Sequence, residues 1–236
     1  MTSILKISGL TKHFGEVKAI EGLDLTLEPG SVHGLVGPNG AGKTTMLSIL
    51  VGLQRKTSGS IEFGVPTNRV MLLHDTPDFI PFLTAREIVD LSRHPFRNEI
   101  NEKSVEQVIS EVGLSDSIDR RVGGFSRGMK QRLGLATTIV VEPQLILLDE
   151  PCSALDPLGR REVLDLVSEL KNKATILFST HILSDVESVC DSVTVINHGR
   201  ALSEGPIGTI NKLEGESFED AVLNLLTTDT HNSMGK

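Results

Sequence analysis

The chain contains no tryptophan and no tyrosine, so phenylalanine and histidine are the only rings that could stack on a planar ligand. Its two cysteines, Cys152 and Cys190, are far apart in the sequence, which favours small packing residues over a metal or redox pair. The first residues lack the charged and apolar pattern of a signal peptide. No stretch approaches the ~20 consecutive apolar residues of a membrane-spanning helix. A cytoplasmic chain is therefore expected, and any role at a membrane would require a partner.

An excess of basic residues is also missing. Lysine and arginine total 23 against 31 aspartates and glutamates, which gives a formal net charge of −8. Proteins that bind the nucleic-acid backbone rely on clustered lysine and arginine. Hydrophobic residues at 39% and charged residues at 23% are typical of a globular domain and exclude wholesale disorder. The composition thus predicts a folded chain with no nucleic-acid partner.

Short apolar runs alternate with longer segments of helical periodicity, a pattern typical of an α/β protein with a mostly parallel sheet. Strands are expected at residues 5–7, 23–27, 32–36, 70–73, 145–148, 174–179 and 193–196. The turn at 28–31 predicts that the second and third of these strands form an antiparallel hairpin near the amino terminus. Helices are expected over residues 43–51, 84–91, 102–112, 126–141 and 218–225, and from residue 156 onward.

A single domain spanning residues 1–236 accommodates these elements. Residues 76–135 contain helices without a convincing strand, and we interpret them as a helical lobe inserted into the α/β core. Residues 206–236 form a helical tail in this interpretation. Its polar end, residues 227–236, is expected to fray.

A glycine-rich loop follows the strand predicted at residues 32–36 and precedes a predicted helix, which is the order of a Walker A motif, or P-loop. Glycines let backbone N–H groups turn inward around an anion, and the helix amino terminus adds partial positive charge. Lys43 supplies a full charge for the β- and γ-phosphates of ATP, and the Thr44 hydroxyl can ligate Mg²⁺. The expected nucleotide-binding residues are Gly37, Pro38, Asn39, Gly40, Ala41, Gly42, Lys43, Thr44 and Thr45.

Two carboxylates end another apolar strand in the manner of a Walker B motif. Residues 145–148 are all apolar, and Asp149 and Glu150 follow them. Because parallel strands end at the sheet edge where ligands bind, these carboxylates are expected beside the glycine loop. Asp149 would hold Mg²⁺, directly or through water, and Glu150 can orient or deprotonate the attacking water.

Three further segments resemble motifs of the ATP-binding cassette family. Residues 125–132, Phe-Ser-Arg-Gly-Met-Lys-Gln-Arg, resemble its signature motif, with Arg127 where the family usually has glycine. Residues 151–156, Pro-Cys-Ser-Ala-Leu-Asp, resemble its D-loop, which implies that Asp156 lies at the nucleotide. Residues 179–181, Ser-Thr-His, resemble its switch-histidine segment. The motifs follow one another in the family's order, and the resemblance covers nearly the whole chain.

The resemblance implies that two copies pack head to tail around two ATP molecules. Ser126 and Gly128 would then contact the γ-phosphate bound by the partner's Lys43, since a hydroxyl and a helix amino terminus both suit an anion. His181 would hydrogen-bond the γ-phosphate and orient the water beside Glu150.

Two other positions are assigned by the resemblance, each with an alternative. Phe14 lies where the family places an aromatic residue that stacks on adenine; a core phenylalanine, or stacking by His13, is the alternative. The family also expects a glutamine at Mg²⁺ after the strand at 70–73. The sequence places Asp75 there, with His74 beside it. A carboxylate can ligate Mg²⁺ but cannot donate the amide hydrogen bond.

The function implied is that of the ATPase subunit of a transporter, peripheral to the inner face of the cell membrane. ATP binding would close a dimer, with a homodimer favoured, and hydrolysis would reopen it to drive a separate integral membrane permease. The single cassette, the Met-Lys-Gln-Arg form of the signature and the short carboxyl tail favour this function, and the short tail is also the reason to expect an exporter. The alternatives are a soluble single-cassette ATPase in cofactor assembly and, because of Asp75, a non-hydrolysing ATP-binding scaffold.

Overall fold

The computed structural model describes residues 3–97, 100, 104–153, 155–210 and 216–234. Strands run over Leu5–Phe14 (β1), Val17–Leu27 (β2), Val32–Val36 (β3), Ser58–Phe63 (β4), Val70–Leu73 (β5), Leu145–Asp149 (β6), Thr175–Thr180 (β7), Ser192–Asn197 (β8) and Arg200–Pro206 (β9). Helices run over Lys43–Leu50 (α1), Ala85–Arg93 (α2), Val105–Glu111 (α3), Arg127–Ile139 (α4), Pro157–Leu170 (α5), Leu183–Val189 (α6) and Phe218–Met234 (α7).

The larger sheet of the described residues has six strands in the order β5-β6-β7-β3-β8-β9. Strand β9 pairs antiparallel to β8, and the other neighbours run parallel. Strands β3, β6 and β7 are buried at every residue, which explains why they are rich in apolar residues, because parallel strands of this kind are covered on both faces. Their carboxyl ends lie side by side, so the loops that follow them meet at one edge. The predicted α/β class with a mostly parallel sheet is confirmed.

The smaller sheet is antiparallel, with the order β2-β1-β4. It confirms the antiparallel amino-terminal part of the fold, but the predicted hairpin between residues 23–27 and 32–36 is wrong. Leu27 pairs with Leu5 of β1, whereas Val32 pairs with Ile176 of β7. The carboxyl half of β2 alternates buried and exposed residues and suits a sheet with one covered face, while β3 is buried throughout and suits the interior. The intervening turn therefore carries the chain from one sheet to the other.

Helices α2, α3 and α4 lie between β5 and β6 in the chain. A capping box at Thr84 begins α2, as predicted. The start predicted for the next helix, residue 102, lies outside the described residues, and Ser104 caps α3. Ser126 caps α4, as predicted. The helical lobe at 76–135 stays a prediction about domain organisation, and its described part contains the three expected helices.

One apolar cluster joins these helices to the parallel sheet. Val89 of α2, Leu133 of α4 and Leu148 of β6 are fully buried in it. Cys152 belongs to the same cluster and Cys190 packs against it, so both cysteines are packing residues, as predicted. Burial raises the pKa of the Cys152 thiol to about 12, which keeps it protonated and unreactive.

The carboxyl-terminal helix α7 packs through the buried Phe218 on a third apolar cluster beside β8. It continues to Met234, so the described part of the segment predicted to fray, residues 227–236, is helical, and its fraying stays a prediction. A side-chain hydrogen bond of 2.9 Å from Asn197 Nδ2 to Asp229 Oδ2 anchors this region to β8. None of the helices in the described ranges has both the length and the apolar character needed to cross a membrane.

Candidate active site

The glycine loop joins the end of β3 to the start of α1, in the order predicted for Walker A. Gly42 precedes α1 with a φ of +106°, and a Cβ atom there would lie 2.5 Å from the carbonyl oxygen of Ala19. A Cβ atom at Gly37 would lie 2.2 Å from the carbonyl oxygen of Ile196. Two backbone segments therefore close on the loop from outside, and only glycine fits at these positions.

The rest of the loop has an exposed tip and a buried base. The tip consists of Pro38, Asn39 and Gly40. Ala41 at the base is buried, and its N–H donates to the carbonyl of Pro38 at 3.1 Å. Thr44 is exposed and Thr45 half-buried in the first turn of α1. This turn carries the N–H groups and the positive end of the helix dipole that suit an anion.

Lys43 is the buried cation of the site. Its Nζ donates to the carbonyl oxygens of Gly37 at 2.7 Å and Pro38 at 3.1 Å. It also lies 3.1 Å from Oε1 of Glu150. Only 4% of the Lys43 side chain is exposed, so this ion pair compensates a charge that would otherwise be costly to bury. The Walker A and Walker B motifs thus meet at one edge of the sheet, as predicted from the order of the elements.

The two Walker B carboxylates occupy different environments. Asp149, the last residue of β6, is buried and accepts a hydrogen bond of 2.7 Å from the Ser179 hydroxyl. Glu150 has a φ of +44°, in the left-handed region that costs a non-glycine residue about 1 kcal/mol or more. The N–H of Glu150 points at Ser179, 3.1 Å from both Oγ and the carbonyl oxygen. The backbone turn at Glu150 sends the two carboxylates in different directions.

His181 contacts the carboxylate oxygen of Glu150 that Lys43 does not. Its Nδ1 is 3.0 Å from Oε2 of Glu150, and 41% of its side chain is exposed. One carboxylate therefore contacts both the Walker A lysine and the predicted switch histidine, each through a different oxygen. The structure brings together Lys43, Asp149, Glu150 and His181.

The signature and D-loop residues lie on helix amino termini. Ser126 is exposed, and its Oγ accepts a hydrogen bond of 3.2 Å from the N–H of Met129. Gly128 is half-buried in the first turn of α4. Asp156 is exposed and caps α5 by accepting from the N–H of Gly159 at 3.2 Å. In the described ranges, no hydrogen bond or ion pair joins these residues to the glycine loop of the same chain. Ala154 of the D-loop lies outside the described residues.

Phe14, at the end of β1, is 46% exposed, which disfavours the alternative of a core phenylalanine. The Nζ of Lys12 lies 4.4 Å from the centre of its ring, within the range of a cation–π contact. The ring therefore has an accessible face and a neighbouring positive charge, both suited to a nucleotide.

Asp75 follows β5 and is exposed, as is His74. Oδ2 of Asp75 accepts a hydrogen bond of 3.3 Å from the Thr76 hydroxyl. Among the residues that the structure describes, no hydrogen bond or ion pair joins Asp75 to Thr44 or Asp149. Its contact with Mg²⁺ stays a prediction.

One residue of the site has no role in the sequence-based prediction. Ser179 was expected only as part of the switch-histidine segment, yet its hydroxyl contacts both Walker B residues. The available signal is a polar residue within the apolar run of β7, because a buried hydroxyl must find hydrogen-bond partners.

Comparison with known proteins gives a family match. The profile of the ABC transporter family matches residues 20–153, which are more than half of the chain. The chain belongs to the ABC transporter family. The matched residues include the glycine loop, the signature segment and both Walker B carboxylates.

Relatives and a solved structure give the same result for this ABC protein. It is 37% identical over 230 residues to the bacitracin transport ATP-binding protein BcrA of Bacillus licheniformis, covering 93% of this chain and 75% of that protein. It is 35% identical over 227 residues to the lantibiotic transport ATP-binding protein SrtF of Streptococcus pyogenes, covering 93% of this chain and 98% of that protein. Its fold matches a solved ATP binding subunit of an ABC transporter with a TM-score of 0.84 and 28% identity. The match covers 94% of this chain and 99% of the solved chain. The chain is the ATP-binding, ATP-hydrolysing subunit of an ABC transporter.

Proposed function

We propose that two copies of this ABC subunit close around ATP and that hydrolysis at Glu150 drives export through a separate integral membrane permease. The observation that supports this most is the position of Glu150, with its oxygens 3.1 Å from Lys43 Nζ and 3.0 Å from His181 Nδ1. The carboxylate, the phosphate-binding lysine and the histidine therefore share one site. This arrangement suits phosphoryl transfer to water, in which positioning and charge stabilisation supply most of the catalysis.

In this mechanism each group of the site has one task. Lys43 binds the β- and γ-phosphates, and the N–H groups of the glycine loop surround them. Glu150 accepts a hydrogen bond from the attacking water and takes its proton. His181, when protonated, donates to Glu150 through Nδ1 and to a γ-phosphate oxygen through Nε2.

The oxygen donors beside the loop fit a Mg²⁺ ion bound together with nucleotide. No cluster of three or more His, Cys, Asp or Glu residues that could hold a metal occurs in the described part of the chain. Mg²⁺ is commonly held by one or two protein oxygens plus substrate phosphates, and Thr44, Asp149 and Asp75 are the proposed donors. When bound, Mg²⁺ would neutralise charge that develops on the phosphates.

The second copy completes the site in this proposal. Ser126 and Gly128 are accessible at the amino terminus of α4, where a helix dipole favours a phosphate. The partner's Ser126 and Gly128 would bind the γ-phosphate held by Lys43, and Asp156 would lie at the same interface. Phe14 would stack on adenine, since its ring is exposed. A homodimer is the simplest assembly that supplies both halves.

The permease places the subunit at the inner face of the cell membrane, where ATP is available. BcrA and SrtF are named for the transport of bacitracin and a lantibiotic, both antibacterial peptides. We therefore infer an amphipathic peptide as the cargo class and the outward direction for its transport, because moving such compounds out of a cell protects it.

The variant Glu150→Gln tests the catalytic part of the proposal. It should bind ATP as the wild type does, lose turnover by about 100-fold or more, and accumulate as an ATP-bound dimer on size-exclusion chromatography. Glu62→Gln removes the same charge from an exposed position on β4 and should retain full turnover. A wild-type chain without Mg²⁺-dependent turnover in the presence of its permease would refute the proposal and favour an ATP-binding scaffold.

A further inference from the structure

The hydroxyl of Ser179 connects the carboxylate of Asp149 to the backbone N–H of Glu150, and no motif assigns it a function. It donates to Oδ1 of Asp149 at 2.7 Å and accepts from the N–H of Glu150 at 3.1 Å. Ser179 has no exposed surface, so its hydroxyl exchanges no hydrogen bonds with bulk water. A buried hydroxyl with one donor and one acceptor bond has a fixed orientation.

The sheet register explains why these groups meet. Ser179 pairs with Asp149 across the parallel strands β6 and β7. Neighbouring residues in register point to the same face of a sheet, so the hydroxyl faces the carboxylate. The chain then leaves β6 through the left-handed turn at Glu150, which directs the N–H of Glu150 back to β7.

We propose that Ser179 is a positioning residue that fixes Asp149 for its metal and holds the strained backbone of Glu150 in place for catalysis. The inference rests on the proposed function, because it takes Asp149 as a magnesium ligand and Glu150 as the base. With Oδ1 engaged by Ser179, Oδ2 of Asp149 would be the oxygen left to hold the metal. Partners of metal ligands typically change metal affinity or activity by about 10- to 100-fold when removed.

Strand β7 also supplies a matched control at its other end. Thr175 is 1% exposed, and its Oγ1 accepts a hydrogen bond of 2.9 Å from the N–H of Gly30. Thr175→Val removes a buried hydroxyl and one hydrogen bond from the same strand, away from the carboxylates. A loss that came only from weakening β7 would appear in this variant too.

The test compares Ser179→Ala, Ser179→Thr and Thr175→Val in the full chain. The first readout is Mn²⁺ affinity in the presence of a saturating non-hydrolysable ATP analogue, measured by electron paramagnetic resonance. The second is kcat and KM for ATP. Ser179→Ala should weaken Mn²⁺ binding and lower kcat, each about 10-fold or more, with KM within twofold of wild type. Ser179→Thr keeps a hydroxyl, so its Mn²⁺ affinity and kcat should be close to those of the wild type. Thr175→Val should change neither the Mn²⁺ affinity nor kcat.

Wild-type Mn²⁺ affinity in Ser179→Ala, or an equal loss in Thr175→Val, would overturn the inference. If Ser179→Ala does not fold, Ser179→Cys keeps the side-chain volume but weakens both hydrogen bonds, and it should show the same losses. A wild-type chain that binds Mn²⁺ with nucleotide but does not turn over would refute the proposed function alone, and the metal affinities would still decide the role of Ser179. Absence of Mn²⁺ binding to the wild-type nucleotide complex would overturn the inference.

Discussion

Arg160 donates through Nε to Oδ1 of Asp185 at 2.6 Å, and this carboxylate has no exposed surface. Burial raises the pKa of Asp185, and the neighbouring guanidinium works against that shift. Arg160 lies in the first turn of α5, just after the D-loop, and Asp185 lies in the first turn of α6, shortly after His181. The pair therefore joins the two segments that follow β6 and β7.

Replacing Arg160 should destabilise the fold because it leaves the Asp185 carboxylate buried and unpaired. We expect Arg160→Met to lower the free energy of unfolding by about 2 kcal/mol, less than for a fully buried pair because the guanidinium is partly exposed. Urea denaturation at pH 7 measures the free energy of unfolding of the wild type and the variant. Arg161→Met, at the exposed neighbouring position, should change stability by at most about 0.5 kcal/mol. A double variant with Asp185→Asn should be more stable than Arg160→Met; a double variant less stable than the single would contradict this explanation.

Acid should weaken the fold through His33. Its ring nitrogens lie 2.8 Å from the hydroxyls of Ser192 and Thr194, and burial lowers its pKa from 6.5 to about 4. The unfolded chain therefore takes up a proton at a pH where the folded chain does not. The contribution of the neutral His33 to the free energy of unfolding is complete above pH 6.5 and is lost as the pH falls toward 4. The loss amounts to at most about 3 kcal/mol.

Denaturation curves between pH 7.5 and 5 measure this effect, and the variant His33→Gln removes the titrating group. The difference in stability between wild type and variant should shrink as the pH falls. A difference that is constant across this range would show that His33 does not titrate as its burial implies.

Substituting Gly42 should abolish nucleotide binding. Gly42 has a φ of +106°, and the Cβ atom of Gly42→Ala would lie 2.5 Å from the Ala19 carbonyl oxygen, so the loop must move to accept the methyl group. Gly30 has a φ of +72°, but a Cβ atom there meets open space. Gly30→Ala should therefore cost only about 1 kcal/mol of stability. Binding of a fluorescent ATP analogue distinguishes the two. Unchanged ATP affinity in Gly42→Ala would contradict this prediction, because it would show that the loop can accommodate a methyl group at residue 42 and still bind nucleotide.

Phe14→Trp would introduce the only tryptophan of the chain. If Phe14 stacks on adenine, ATP should quench the fluorescence of the tryptophan in Phe14→Trp. Phe14→Ala should weaken ATP binding by about 1–3 kcal/mol. Phe82→Trp, at a position that is 67% exposed, provides a reporter outside the predicted site and should not respond to ATP. Equal responses from both tryptophans would argue against stacking.

The local chemistry of the site could be predicted because each motif carries its own geometry. Glycines followed by Lys43 specify an anion-binding loop, and an apolar strand followed by Asp149 specifies a carboxylate at the sheet edge. Helix starts at Thr84 and Ser126 were predictable for the same reason, since capping depends on residues a few positions apart.

Strand pairing was harder because it depends on residues far apart in the sequence. The turn at 28–31 suggested a hairpin, but the apolar faces of β3 bring it between β7 and β8 instead. Nothing in the exposed, serine-rich segment Ser58–Phe63 predicts β4, which forms by pairing with β1. The contacts of Ser179 were equally hidden, because they depend on the register of β6 against β7.

The central place of β3 in the large sheet has a consequence for biosynthesis. The strand before the glycine loop is translated well before Thr175–Thr180 and Ser192–Asn197, yet it pairs with both of these segments. Long-range parallel pairing is slow to form because the intervening chain must first be closed into a loop. A nascent chain arrested before β8 should therefore fail to bind nucleotide although its Walker motifs are complete, and apolar β3 should depend on chaperones until its neighbours emerge.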